Sequence, residues 1–278
     1  MAKRVAAVAV PVGLVVGGVA YGISRHSSKD EKTLGECTTH VSGLTVVLTD
    51  AQARNASLIS AVSVRRGMPA HAATIGLATA LQESKLYDLR GGDRDSLGLF
   101  QQRPSEGWGT RQQVLDPLYA TNAFYDALEK VPGWETLAVT KAAQDVQHSG
   151  FPEAYASYEK DARALASALT GYSPAAFSCH LPAPAGRATP SVRRAESLRR
   201  ALRPVFGPVS VSVGADGRLA VASGTVPRGW ALASYLVAHA QTLHIGRVGY
   251  RERAWTAGSS HGWERASSGS ATDSVVID

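Results

Sequence analysis

Between residues 50 and 171 apolar side chains recur at helical spacing, and each run is bounded by a residue that starts or stops a helix. Asp50 can cap AQARNASLISAVSVRR, which ends at Gly67. Pro69, in the first-turn position that tolerates proline, opens PAHAATIGLATALQESKL. Asp116-Pro117 repeats the cap-plus-proline start ahead of LYATNAFYDALEKV. Thr140 can cap KAAQDVQ, and Pro152 begins EAYASYEKDARALASAL, which stops at Gly171. The region 50–171 is therefore predicted to be almost wholly helical. A glycine-rich segment at 90–98 interrupts it as a loop or a small hairpin. Ahead of it, residues 24–48 read as a polar tether with a short apolar run near Leu44–Leu48.

Beyond residue 182 the texture changes. PAPAGRATPS (182–191) is a Pro/Ala/Gly linker, and VRRAESLRRAL is a basic helix. The period then drops from 3.6 to 2. VSVSVGADGRLAVAS reads as strand, turn at Asp216-Gly217, strand. PRGWALASYLVAHAQTLHI is an amphipathic helix ending at Gly246, and RVGYRERAW and DSVVID read as two more strands. The predicted fold class is α+β. A mainly helical domain spans 31–181, a linker and basic helix 182–203, and a small α+β domain 204–278. No internal repeat is visible.

The N-terminus changes the picture of where this fold works. After Lys3 and Arg4, Val5 to Ile23 carries no charge over 19 mostly apolar residues, long enough for a bilayer-spanning helix. A cleaved secretory signal and a buried soluble helix are the alternatives. Tyr21-Gly22-Ile23-Ser24-Arg25 is a poor cleavage site, which favours an uncleaved signal anchor with its tether over residues 1–30. Lys3 and Arg4 orient the start toward the cytoplasm, with Arg25 and Lys29 opposing. The expectation is a single-pass membrane protein with its folded part extracytoplasmic, or a secreted one if the signal is removed. The net charge of +6 favours polyanionic partners, and export argues against nucleic acid as one of them. Arg193, Arg194, Arg199 and Arg200 form a basic cluster that fits wall polymers, lipid headgroups or simply a solvated helix face.

The only two cysteines, Cys37 and Cys179, bracket the first folded region. They read as one disulfide in an oxidising compartment, or as two separate buried thiols. No zinc spacing, phosphate-binding loop or dinucleotide fingerprint is present, and His239 and His244 are off-register for one helix face. No metal or cofactor is expected.

One acid stands out. Ala72, Ile75, Thr79, Glu83 and Leu86 share a helix stripe, so Glu83 lies on a face that packs inward. Desolvation there raises a carboxyl's pKa and lets it hold a proton near neutral pH, as a glycosidic general acid must. Alternatively, Glu83 sits at the rim and pairs with Lys85, Arg90 or Arg94.

Glu83-Ser84 is followed fifteen residues after the acid by Gly98-Leu99-Phe100-Gln101, then Pro104. This resembles the lytic transglycosylase and lysozyme-like superfamily over about residues 50–171. There, a Glu-Ser at a helix end precedes a Gly-Leu-Met-Gln-x-x-Pro segment. The resemblance implies a lysozyme-like helical domain, with Glu83 as catalytic acid/base. It puts Ser84, Ser96, Gly98, Phe100 and Gln101 along the sugar groove. The family's later Ala-Tyr-Asn-Ala-Gly motif is replaced by Val146-Gln147-His148-Ser149-Gly150, so its supporting phenol would have to come from Tyr155 or Tyr119. Where hen-egg-type lysozymes carry an aspartate, this chain has Ser96. Asp93 and Asp95 are the candidates for a second carboxylate, or else turn residues. Trp108 could stack on a sugar or anchor the loop.

The resemblance implies cleavage of peptidoglycan at the MurNAc-GlcNAc bond; a lone acid suits lytic transglycosylation, with hydrolysis by an activated water, as in a lysozyme-type glycoside hydrolase, as the other outcome. The alternative is a non-catalytic lysozyme-like module that binds wall glycan or scaffolds envelope partners. Glycan strands, and the membrane through the N-terminal helix, are the expected partners; no protein partner is indicated. The C-terminal segment GWALASYLVAHAQTLHI…RERAWTAG…GW faintly resembles a small domain of some actinobacterial cell-wall proteins. It reads as a binding or structural unit, with Trp230, Trp255 and Trp263 in its core rather than as ligand contacts, the alternative reading of the same rings.

Overall fold

The computed structural model of the chain describes residues 34–149, 153–184, 191–266 and 273–278. The apolar stretch 5–23, Pro152 and most of the 182–191 linker lie outside them. Among the described residues no helix is long and apolar enough to cross a membrane. The fold is mixed α+β.

Much of the expected tether is a hairpin. Strands β1 (Glu36–Val41) and β2 (Leu44–Thr49) pair antiparallel, with Val41 opposite Leu44. Ser42 and Gly43 turn the chain at φ 49° and 77°, the doubly left-handed geometry of a two-residue hairpin loop. Thr49 then caps α1 (Asp50–Arg65) in a reciprocal box with Gln52. Asp50, the expected cap, is the first helical residue and pairs with Arg54. Helix α2 (Ala70–Ser84) follows Pro69. A 3₁₀ turn (Pro104–Glu106) and the short α3 (Arg111–Val114) lead to α4 (Pro117–Leu128), where Asp116 accepts from the Leu118 amide at 2.9 Å. Helix α5 (Val139–Gln147) begins after Ala138, so Thr140 lies inside the helix rather than capping it. Helix α6 (Ala156–Leu169) leads to β3 (Phe177–His180). Strand β3 returns to β1, giving a sheet ordered β2-β1-β3, and Cys37 faces Cys179 across it in a disulfide.

Helix α2 is the axis of the helical part. Its residues from Ala72 to Leu81 are all buried, and α1, α4, α5 and α6 pack around it. Small residues make this possible. A Cβ on Gly76 would stand 3.0 Å from the Tyr125 hydroxyl and 3.1 Å from an Ile59 methyl.

The chain continues with α7 (Ser191–Phe206), β4 (Val211–Val213), β5 (Leu219–Ala222), α8 (Val226–Ala238) and α9 (Ala240–Leu243). Four more strands follow: β6 (Arg247–Tyr250), β7 (Arg253–Thr256), β8 (Trp263–Arg265) and β9 (Ser274–Ile277). RVGYRERAW, expected as one strand, is the β6–β7 hairpin. The last strand inserts between β5 and β6, giving an antiparallel sheet ordered β4-β5-β9-β6-β7-β8.

The expected amphipathic helix α8 is buried at every position from Gly229 to Ala238. The six-stranded sheet covers one side of it, and α1, α6 and β3 cover the other. The C-terminal module therefore shares one hydrophobic core with the helical part. Its tryptophans grip β3: the Trp255 indole donates to the Cys179 carbonyl at 2.7 Å and the Trp263 indole to the Phe177 carbonyl at 2.6 Å. The basic helix α7 buries Ala195, Leu198, Leu202, Val205 and Phe206, packs against α1, and leaves Arg193 and Arg200 exposed.

Candidate functional site

Glu83 occupies the last turn of α2, where the helix stops abruptly. Lys85 and Leu86 both adopt left-handed backbone, at φ 54° and 63°. Helix α1 holds this exit in place. Gln52 donates to the Lys85 carbonyl at 2.9 Å, and Asn55 to the Leu86 carbonyl at 2.7 Å.

The Gly98–Gln101 turn is fastened to the same helix end. The Ser84 hydroxyl donates to the Leu99 carbonyl at 2.7 Å. Leu97 and Gln102 bridge the base of the turn. Gly98, at φ 72°, sits where a Cβ would lie 2.4 Å from the Val114 carbonyl oxygen, so only glycine fits. Phe100 is fully buried and stacks on Phe124 with ring centroids 4.6 Å apart. Two separate sequence motifs thus become one packed unit.

Three side chains then meet the carboxyl. From the start of α6 the Tyr155 hydroxyl donates to Glu83 Oε1 at 2.7 Å. From the end of α5 Gln147 stands near the carboxyl, and its Nε2 donates to the Phe100 carbonyl at 2.7 Å. Lys85 adds positive charge, its Nζ held by the Tyr158 hydroxyl at 2.5 Å.

Burial is the largest influence on Glu83 and pushes its pKa above the ordinary carboxylate value. The bond from Tyr155, the nearby Gln147 amide and the charge of Lys85 pull the other way. Burial and the adjacent carboxyl push the Tyr155 phenol up in turn, so it stays protonated and remains a donor. The arrangement is a part-buried acid able to hold and release one proton.

Tyr155 therefore reaches the acid, whereas Tyr119 lies against Gly109. Several side chains expected along the sugar groove turn inward instead. Ser84, Ser96, Gly98 and Phe100 are all buried: the Ser84 hydroxyl is spent on main chain, and the Phe100 ring belongs to the core. Gln101 folds back, donating to the Gly98 carbonyl at 3.2 Å. Trp108 is part-buried against the core.

The two loop aspartates serve the loop. Asp95 accepts from Arg103 Nε at 2.9 Å, from the Ser105 amide at 2.8 Å and from the Ser105 hydroxyl at 2.9 Å. The Ser105 amide above all holds its pKa at about 2. Asp93 is exposed, 3.9 Å from Arg94.

Gln147 is the member of the site that sequence reasoning missed. Val146–Gly150 is noticeable in the sequence only for the motif it lacks, and an amide at a helix end carries no signal of its own. Among the described residues no group of three or more His, Cys, Asp or Glu could hold a metal ion. No protein-family model matches the chain, and no curated protein shows significant similarity to it.

Proposed function

We propose that this protein is a lytic transglycosylase that cleaves peptidoglycan between MurNAc and GlcNAc, with Glu83 as its single acid/base. The proposal includes a lysozyme-like relation between the acid's helix and the Gly98–Gln101 turn. It also includes export by the apolar N-terminal segment, which puts glycan strands, not nucleic acid, within reach. The observation that carries the reading is the part-buried Glu83 carboxyl with the Tyr155 hydroxyl 2.7 Å from Oε1.

With Tyr155 donating to Oε1, the proton of the neutral acid sits on the other oxygen. Glu83 gives that proton to the glycosidic oxygen as the bond from the muramic C1 breaks. The resulting carboxylate takes the proton of the same sugar's C6 hydroxyl, whose oxygen bonds to C1. The products are a 4-hydroxyl end and a 1,6-anhydro end, and Glu83 is neutral again. The cycle needs no second carboxylate, which agrees with Asp95 being committed to Arg103 and Ser105.

The test is digestion of isolated peptidoglycan by the purified chain and by Glu83→Gln, with mass spectrometry of soluble products. Anhydro-muropeptides from the wild type alone are expected. Reducing ends would make the protein a hydrolase. No soluble product from either protein, with wall binding retained, would replace the enzyme with a glycan-binding module.

A further inference from the structure

Helix α7 presents two different sides. Ala195, Leu198, Leu202, Val205 and Phe206 pack inward, against α1 and β4. Arg193, Arg200 and Arg203 fall in a row on the opposite side, and all three are exposed. At a rise of about 1.5 Å per residue the row is about 15 Å long. Glu196 is the one acid on this helix. Among the described residues neither these three guanidiniums nor that of Arg194 pairs with a carboxylate; Arg200 reaches the Ser197 hydroxyl at 3.5 Å. Arg54, Arg66, Arg103, Lys141, Arg163 and Arg218, by contrast, each meet an acid within the fold. The charge of α7 is left for something outside it.

The row is held firmly and has apolar side chains beside it. Arg199 donates to the Val211 carbonyl of β4, the Ser191 hydroxyl to the Gly217 carbonyl at 3.0 Å, and Arg228 of α8 to the Phe206 carbonyl at 3.1 Å. The first two bonds bring α7 alongside the β4–β5 turn. From these two elements Val192, 72% exposed, and Val213, 42% exposed, stand out into solvent. Exposed aliphatic side chains next to unpaired arginines are what an interfacial element offers a bilayer: guanidiniums meet the phosphates, and the apolar groups enter at the headgroup boundary. Past the other end of α7, Arg65 of α1 is exposed beside Gly207 and is held by the Asn122 amide oxygen at 2.6 Å. Asn55, which holds the exit of the acid's helix, lies about 15 Å back along α1 from Arg65, so this surface is separate from the Glu83 site.

We propose that α7 and the β4–β5 turn form a docking surface for an anionic phospholipid bilayer, with Arg193, Arg200 and Arg203 on the lipid phosphates and Val192 and Val213 at the headgroup boundary. Charge complementarity selects this occupant. A row of fixed cations without internal counter-ions gains little on a neutral surface and about fivefold per arginine on an anionic one. The contact lays the folded part against the membrane surface. It stands whether or not Glu83 is an acid/base.

The apolar segment 5–23 is itself able to hold the chain in a bilayer, so the experiment reads α7 directly. The full-length chain is placed in nanodiscs of phosphatidylcholine, or of an equal mixture of phosphatidylcholine and phosphatidylglycerol, and amide exchange is followed over residues 191–206 and 213–218. Exchange there is expected to slow about fivefold in the mixed discs alone, and raised salt is expected to reverse the slowing. Arg193→Gln, Arg200→Gln and Arg203→Gln together should abolish it with an unchanged melting temperature, and Val192→Ser with Val213→Ser should weaken it. Equal exchange in the two kinds of disc would overturn the proposal. So would slowing that survives in the arginine variant. The same chain in detergent with inorganic polyphosphate controls for a soluble polyanion: equal slowing there, indifferent to the valine changes, would give the surface to a phosphate polymer instead of a membrane.

Discussion

At the scale of single residues, the site sets stability against chemistry. The raised pKa of Glu83 means that ionising it costs the folded state more than the unfolded one. Its contribution to folding is therefore full below the ordinary value of 4.5 and is lost as pH rises through the folded value. Glu83→Gln keeps an acceptor for Tyr155 and removes the charge. It is expected to raise the melting temperature by about 2–4 °C at pH 8, with the gain vanishing near pH 4, while abolishing muropeptide release. Calorimetry at the two pH values checks the first part; a gain that persists at pH 4 would show that charge burial is not its cause. Tyr155→Phe removes the hydroxyl that donates to the carboxyl. It should lower release about 10- to 100-fold and move the alkaline limb upward, measured by the pH dependence of product formation. Glu83-Ser84 and its spacing from Gly98-Leu99-Phe100-Gln101 were legible in the sequence. The burial of the turn's side chains was not, because whether Phe100 turns toward a sugar or toward Phe124 depends on where α4 lies.

Elements show a similar division. Where a start signal is made by adjacent residues, sequence and structure agree: Asp116-Pro117 opens α4 and caps it as expected. The β1–β2 hairpin was hidden because β1 is the central strand of its sheet. Cys37, Thr38 and Thr39 are all buried, so the strand shows no alternation of polar and apolar positions. The Ser42-Gly43 pair between two β-prone runs was the available signal. The loop 95–106 is an element held by one carboxylate. Because the folded-state pKa of Asp95 is lowered, to about 2, its contribution is present above its ordinary value of 3.8 and is lost as pH falls toward 2. Asp95→Asn is expected to speed amide exchange across residues 95–106 at neutral pH while leaving product chemistry intact. Abolished release with unchanged exchange would make Asp95 a catalytic carboxylate after all.

Across the whole molecule, the C-terminal module is a structural partner of the helical part. Helix α8 fills the space between the six-stranded sheet and α1, α6 and β3, and the disulfide closes the chain over a separation of 142 residues. Replacing both Cys37 and Cys179 with serine should cost about 2–5 kcal/mol, read from denaturant melts. Trp255→Phe should cost about 1–3 kcal/mol, because it leaves the buried Cys179 carbonyl without its donor. If residues 34–181 expressed alone melt as cooperatively as the whole, the shared core is not essential. His239 adds an acid limit. It stacks on Tyr235 at 4.0 Å, and burial, reinforced by the charge of Arg54, lowers its pKa to about 3. As pH falls below 6.5, the unfolded chain binds a proton that the folded one refuses, and stability is lost. His239→Phe should flatten the acid side of the stability profile.

The sequence by itself determined the features made by near neighbours: most helix starts and stops, the change of period after residue 204, and an acid on a buried helix stripe ahead of a tight Gly-Leu-Phe-Gln turn. Caps, prolines and periodicity act within one or two turns of chain, so they can be read locally. Only the tertiary structure decided which side chains meet that acid. Tyr155 lies 72 residues from Glu83, and Gln147 lies 47 from the Phe100 carbonyl it binds. It also decided that the sheet and the helices share one core, because a helix that reads as amphipathic shows one apolar side, and only the packing partners of α8 reveal that both sides are covered. These contacts depend on how α2, α5 and α6 are stacked. That stacking is a balance of burial over the whole molecule, and no local pattern encodes it.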